Sequence, residues 1–133
     1  MITWATFRFD RQFTEAECAE IEAFLRQELE LEDDGLGPGD NFGVDGNLAY
    51  FGWLHFNPHT REGDDLIDGL LARAPGISCT LEMEYDECDE PGTEYLWYGP
   101  RALELELKHA QALLDDAQRN VRRIKVALAR RGR

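Results

Sequence analysis

Residues 77–86 have the sequence Ile-Ser-Cys-Thr-Leu-Glu-Met-Glu-Tyr-Asp, and this stretch decides the fold class. Apolar side chains alternate with polar ones, which is the two-residue period of a β-strand with one buried face. A turn containing Pro91 and Gly92 leads to a second strand at 93–98, which Gly99 and Pro100 end. The stretch therefore predicts part of a sheet whose other face carries carboxylates.

The preceding residues predict alternating strands and helices. Thr14 followed by Glu17 is a capping box, so a helix is expected to begin there and to run to about Leu31. The pair Asp45-Gly46 is typical of a hairpin turn between two strands. The predicted elements in chain order are a strand at 2–10, this helix, a short strand at 41–44, a strand at 48–56 and a helix at 62–73.

Residues 101–131 contain no helix-breaking residue and predict one long helix of roughly 45 Å, at about 1.5 Å per residue. Its apolar residues follow one another at steps of four and three, which is a heptad pattern. We call these residues the heptad seam. His109 lies off the seam, and we expect it to be exposed. The seam consists of Leu103, Leu107, Ala110, Leu114, Ala117, Val121, Ile124 and Leu128.

Together these elements predict an α+β fold, ferredoxin-like in the broad sense. We expect a small mixed or antiparallel sheet of four to five strands with two packed helices, plus the long C-terminal heptad helix. The predicted organisation is an acidic body at 1–100, the helix at 101–131 packed on or projecting from the body, and a tail at 132–133.

The charge of the chain is strongly divided. Its 133 residues carry a net charge of −13 from 27 acidic and 14 basic residues. All 27 acids and seven of the bases lie in residues 1–116, and the other seven bases lie in residues 117–133. The body should therefore repel nucleic acid and anionic membranes and attract basic protein surfaces. The alternative interpretation is that the acidity serves only solubility.

The acidic residues are densest around the predicted turn at 87–92. We expect them to form a docking face for a basic partner, with Trp97 and Tyr98 as possible apolar anchors. Two alternatives are a solvated edge strand kept charged against edge-to-edge pairing, and an oxygen-ligand site for a hard cation, although we predict no metal. The candidate partner-binding residues are Glu82, Glu84, Asp86, Glu87, Asp89, Glu90 and Glu94.

The charges along the long helix predict how it pairs. Acidic residues lie in its first half, and basic residues begin at Arg119. Two such helices are complementary when antiparallel, whereas parallel pairing aligns like charges. We therefore expect an antiparallel homodimer or a partner-bound helix, with Leu107, Ala110, Leu114, Ala117, Val121, Ile124 and Leu128 as the docking residues. The alternative is a helix that lies across its own sheet, because the same spacing suits core packing.

No catalytic signature is present. Ser78 is the only serine and has no nucleophile motif around it, and Cys18 lies among glutamates that would raise its pKa. His55 and His59 are four apart, but Pro58 intervenes, so they are not expected to share a metal. We predict no enzyme and no cofactor. Three cysteines without a signal sequence or a long apolar run predict a cytoplasmic protein that neither spans nor binds membranes.

In size, acidity, compact α+β body and lack of catalytic motifs, the chain resembles small mobile-element inhibitors such as anti-CRISPR and DNA-mimic proteins. It equally resembles acidic immunity proteins that neutralise basic toxins. The resemblance is one of composition. It implies a non-enzymatic protein that occupies a basic, nucleic-acid-binding surface on another protein. The alternatives are a carboxylate-based metal-binding protein or enzyme, and a structural assembly subunit that uses only the heptad seam.

Overall fold

The computed structural model describes residues 2–29, 42–53, 56–86 and 92–132. Within them the predicted alternation of strands and helices is confirmed, and most bounds agree to within two residues. Residues 54–55 of the strand predicted at 48–56 lie outside the described residues, and Phe56 is buried but is not part of the strand. The elements are β1 (Ile2–Phe9), α1 (Glu15–Glu28), β2 (Phe42–Asp45), β3 (Leu48–Trp53), α2 (Arg61–Ala72), β4 (Cys79–Asp86), β5 (Gly92–Tyr98) and α3 (Ala102–Arg131).

The five strands form one antiparallel sheet in the order β2-β3-β1-β4-β5. The first four strands and α1 and α2 have the β-α-β-β-α-β order of a ferredoxin-like fold, and β5 adds a strand beside β4. The predicted α+β class is therefore confirmed, and the sheet is antiparallel throughout the described residues. None of the described helices is both long and apolar enough to cross a membrane.

One face of the sheet holds the hydrophobic core beneath α1 and α2. On β1 and β4 the alternation predicted from the sequence is observed, because every second side chain is buried on this face. The two helices contribute apolar side chains at helical spacing. The core includes Ala5, Phe7, Phe9, Cys79, Leu81 and Met83 from the strands and Ile21, Leu25, Leu66, Ile67 and Leu70 from the helices.

The capping box at the start of α1 is confirmed. The Glu17 backbone N–H donates to Thr14 Oγ1 at 3.1 Å, and the Thr14 backbone N–H donates to Glu17 Oε1 at 2.9 Å. Arg11 also donates to both oxygens of the Glu17 carboxylate, at 2.8 and 2.7 Å. These hydrogen bonds lower the pKa of Glu17 from 4.5 to about 2. The helix itself ends at Glu28 with Leu29 as its C-cap, and residues 30–31 of the predicted helix lie outside the described residues.

The second face of the sheet carries aromatic side chains and is crossed by α3 on its β4 and β5 side. The Trp4 ring lies over Gly52 of β3, where an added Cβ would stand 2.6 Å from the ring. A glycine is required there because any side chain would displace the indole. Among the described elements, α3 is the helix that packs on this face, so it decides how much of the face the described residues leave open.

Candidate interaction surface

Only a short part of α3 packs against the sheet. Leu105 and His109 are half-buried, and the His109 ring lies 4.4 Å from the Tyr95 ring and 5.4 Å from the Trp97 ring. The expectation that His109 is exposed is therefore wrong, because β5 places two aromatic rings beneath it. From residue 110 to residue 132 every residue of the helix is exposed. Only the first three turns of α3 thus pack on the body.

The heptad seam lies on the opposite side of α3 from the sheet. Leu107 follows Leu105 by two residues and precedes His109 by two, which places it about 160° around the helix from both. No residue of α3 is buried, and Ala110 and Ala117 are exposed. The exposed fractions of the larger seam residues are 79% for Leu103, 64% for Leu107, 50% for Leu114 and Val121, 48% for Ile124 and 60% for Leu128.

The start of α3 is fixed to the body by a small polar network. Arg101 donates through Nε to the carboxylate of Asp10 and through Nη2 to the Gly76 carbonyl at 2.8 Å. The Arg101 backbone N–H donates to Ser78 Oγ at 2.8 Å, and the Ser78 backbone N–H donates to Asp10 Oδ1 at 3.0 Å. Gly99, with φ of 101°, makes the turn into this junction. The network sets the direction in which α3 leaves the sheet.

The structure divides the predicted acidic face. Glu82 and Glu84 lie on the α3 side of the sheet, where Tyr95 donates from its hydroxyl to Glu82 at 3.1 Å, a hydrogen bond that raises the pKa of Tyr95. Glu94 is paired in register with Met83, so it lies on the core side and contacts His59 Nε2 at 2.7 Å. Asp86 belongs to β4, and the side chain of Asp86 together with residues Glu87, Asp89 and Glu90 lies outside the described part of the chain.

The two predicted anchors also lie on opposite faces. Trp97 is half-buried beside His109, and its indole N–H is buried without a hydrogen-bond partner in the described structure. Tyr98 packs against the core, and burial raises its pKa to about 12. Tyr95, which the sequence did not single out, is more exposed than either and lies beside Glu82. Strand register, which separates these neighbours, could not be read from the run Tyr95-Leu-Trp-Tyr98.

A cleft of about 430 Å³ lies between the first turns of α3 and the sheet. Arg8 and Lys108 line it together with His109, and Leu105 and Ala112 form part of its apolar wall. The cleft could not be read from the sequence because its lining comes from four distant segments, at 8–10, 47, 80 and 105–112. It brings together a basic residue of the body, Arg8, and a basic residue of α3, Lys108.

The described residues offer no arrangement for metal or thiol chemistry. They contain no group of three or more His, Cys, Asp or Glu side chains that could hold a metal ion. The pKa of Cys18 is raised, as predicted, although the largest cause is burial and the contributing carboxylates are Glu22 and Asp45. Burial raises the pKa of Cys79 to about 12. Neither thiol is therefore prepared to act as a nucleophile.

Comparison with known proteins gives no relative: no family model matches the chain, and no curated protein or solved structure matches it.

Proposed function

We propose that the protein is a non-enzymatic interaction protein that associates with its partner through the heptad seam of α3. One observation carries this proposal: the seam is exposed along its whole length, from Leu103 to Leu128, and faces away from the body's own sheet. A helix packed for the stability of its own domain would bury this side instead. The two sides of α3 therefore serve different purposes, attachment to the body and contact with a partner.

The energetics favour an occupied seam. Full burial of a Leu, Ile or Val side chain is worth about 1.5–3 kcal/mol, and six such side chains are half to four-fifths exposed. Helices in proteins owe most of their stability to the packing of an apolar face. The arm from residue 113 onward has no such packing in a single chain. A partner on the seam supplies it.

The experiment compares two aspartate substitutions on the same helix. Val121 on the seam and Val126 off it are 50% and 52% exposed, so Val121→Asp and Val126→Asp are matched in chemistry and exposure. We expect the wild-type chain and Val126→Asp to elute from a native-host extract in a complex heavier than one chain, and Val121→Asp to elute as a single chain. A monomeric wild type, or a Val121→Asp variant that keeps the complex, would overturn the proposal.

A second candidate function is docking of the acidic body on a basic protein surface, such as one that binds nucleic acid. It is favoured by Glu82 and Glu84, which lie on the α3 side of the sheet beside the exposed Tyr95. No base of the described residues forms an ion pair with either carboxylate. An inhibitor of a nucleic-acid-binding protein and an immunity protein against a basic toxin are the two forms that this function takes.

The acidic candidate is tested by charge reversal at two sites. The double variant Glu82→Lys/Glu84→Lys should lose a basic partner that the wild type retains at low salt, because the attraction is electrostatic. The matched control is Glu62→Lys/Asp65→Lys, which makes the same charge change on the exposed side of α2. Equal capture of the partner by all three chains would remove this candidate.

A further inference from the structure

We infer that the occupant of the heptad seam is a second copy of α3 in antiparallel orientation. This inference rests on the proposed function and names its partner. A second copy is favoured over an unrelated helix for three reasons. The side chains of two antiparallel seams match in size, and the residues that flank the seams match in charge. The body of each chain also leaves the seam accessible.

The side chains of two antiparallel seams match in size in one register. When two copies align so that paired residue numbers sum to 231, every seam residue meets a seam residue of the second copy. Leu103 then meets Leu128 of the second copy, and Leu107 meets Ile124. Toward the centre Ala110 meets Val121 and Ala117 meets Leu114, so each alanine faces a larger side chain. All eight seam residues are used, with small and large residues interleaved in the middle of the helix.

Residues that flank the seam carry opposite charges in the two antiparallel copies. In the same alignment Glu104 of one copy lies beside Lys125 of the other, and the pair occurs twice by symmetry. The acidic first half, with Glu104 and Glu106, runs against the basic second half, with Arg130 and Arg131. A parallel pair would instead hold Glu104 of one copy and Lys125 of the other 21 residues apart along the axis, about 30 Å, so this ion pair could not form. Charge therefore selects the antiparallel orientation.

The position of the body gives the third argument. The sheet packs on the Leu105 and His109 side of α3, so it does not obstruct a helix on the seam. Residues 1–100 carry 23 acids and five bases, a net charge of −18. Antiparallel pairing places the bodies toward opposite ends of the helices, with their attachment points near Leu105 and His109 about 25 Å apart along the axis, about three times the Debye length of about 8 Å at physiological salt. Parallel pairing would place both at the same end.

The first test is the mass of the purified full-length chain, measured by sedimentation equilibrium over a range of concentrations. We expect a dimer for the wild type and for Val126→Asp. For Val121→Asp we expect the dimer dissociation constant to rise by about 100-fold or more, because symmetry puts the buried carboxylate into two layers. The melting curve of the Val121→Asp monomer checks that the body remains folded.

The second test is orientation. Leu107→Cys and Ile124→Cys chains, mixed and oxidised, should form a disulfide between the two variants, identified by peptide mapping against the wild-type cysteine background. Leu107→Cys alone should not link to itself, because its two copies are separated by 17 residues, about 25 Å. A disulfide needs Cα atoms within about 7 Å. Self-linking of Leu107→Cys would overturn the antiparallel orientation.

The outcomes separate this inference from the proposed function. A purified chain that is monomeric, while the extract complex still depends on Val121, overturns the second copy and leaves the interaction function standing. A purified dimer that is unchanged by Val121→Asp shows contact through another surface and overturns both. A dimer lost only in Val121→Asp, with the mixed disulfide formed, supports both.

Discussion

Single residues decide how the body meets its helices. At the start of α1, Glu17 accepts hydrogen bonds from the Thr14 backbone and from Arg11, and these bonds lower its pKa to about 2. A depressed carboxyl pKa contributes stability that is fully present above the unfolded pKa and is lost as the pH falls through the folded pKa. For Glu17 this window runs from about pH 4.5 down to about pH 2.

This gives a prediction for Glu17→Gln. The amide oxygen can still accept from the Thr14 backbone, but the charge that pairs with Arg11 is gone. We expect the wild type to be the more stable chain at pH 7 and its advantage to shrink as the pH falls from about 4.5 toward 2. Urea unfolding midpoints at a series of pH values measure the difference. A difference that stays constant over this range would contradict the assignment.

At the scale of the elements, the N-terminal turn of α2 depends on a close approach of backbone to backbone. The Gly63 backbone N–H donates to the capping oxygen of Thr60 at 3.1 Å. A Cβ built on Gly63 would lie 1.9 Å from the carbonyl oxygen of Asn57. Glycine is ordinarily unfavourable inside a helix, and here the segment that enters the helix requires it.

Gly63→Ala is therefore expected to reverse the usual sign of this substitution. In an open helix the change would stabilise the chain by about 1 kcal/mol. Here it should destabilise the chain by about 1–3 kcal/mol, because the Asn57 backbone must move. Urea denaturation checks the sign, and Gly92→Ala is the control, since nothing lies within 4 Å of a Cβ there. A Gly63→Ala chain that is more stable than the wild type would contradict this prediction, because it would mean that the Asn57 backbone moves at little cost.

The sequence predicted the helices and strands well. It did not predict on which face of the sheet the β5 side chains lie, or which side of α3 packs on the sheet. Alternation at residues 79–83 and helical spacing at Ile21 and Leu25 are local signals, because one buried face dictates each. The face on which Glu94 and Tyr98 lie depends on the register of β5, and its run of aromatic residues has no alternation to show it. The heptad spacing of α3 suits both core packing and pairing, so only the contact of His109 with Tyr95 and Trp97 decided which side faces the sheet.

For the whole molecule, the body and the far part of α3 are separable in contact. The helix touches β4 and β5, and its last residue along the cleft is Ala112. The residues from 113 to 132 are all exposed. The fold of the body should therefore not depend on them, although association should.

A chain that ends after Ala112 tests this separation. We expect it to fold and to melt within about 4 °C of the monomeric Val121→Asp chain, a shift that corresponds to about 1 kcal/mol or less in a domain of this size. We also expect it to be monomeric at every concentration, since it lacks most of the seam. Calorimetry and light scattering give the two results. Loss of folding on truncation would mean that the far part of α3 supports the body.

The hydrogen bonds of Asp10, Ser78 and Arg101 attach the N-terminal end of α3 to the body. The helix from Ala102 to Arg131 is about 45 Å long, so a tilt of about 10° at the junction moves its far end by roughly 8 Å. A force on the C-terminal end of α3 is therefore transmitted to the end of β1 and to residues 76–78, where the network is attached. Those hydrogen bonds therefore support the proposed binding surface of α3 at its end nearest the body.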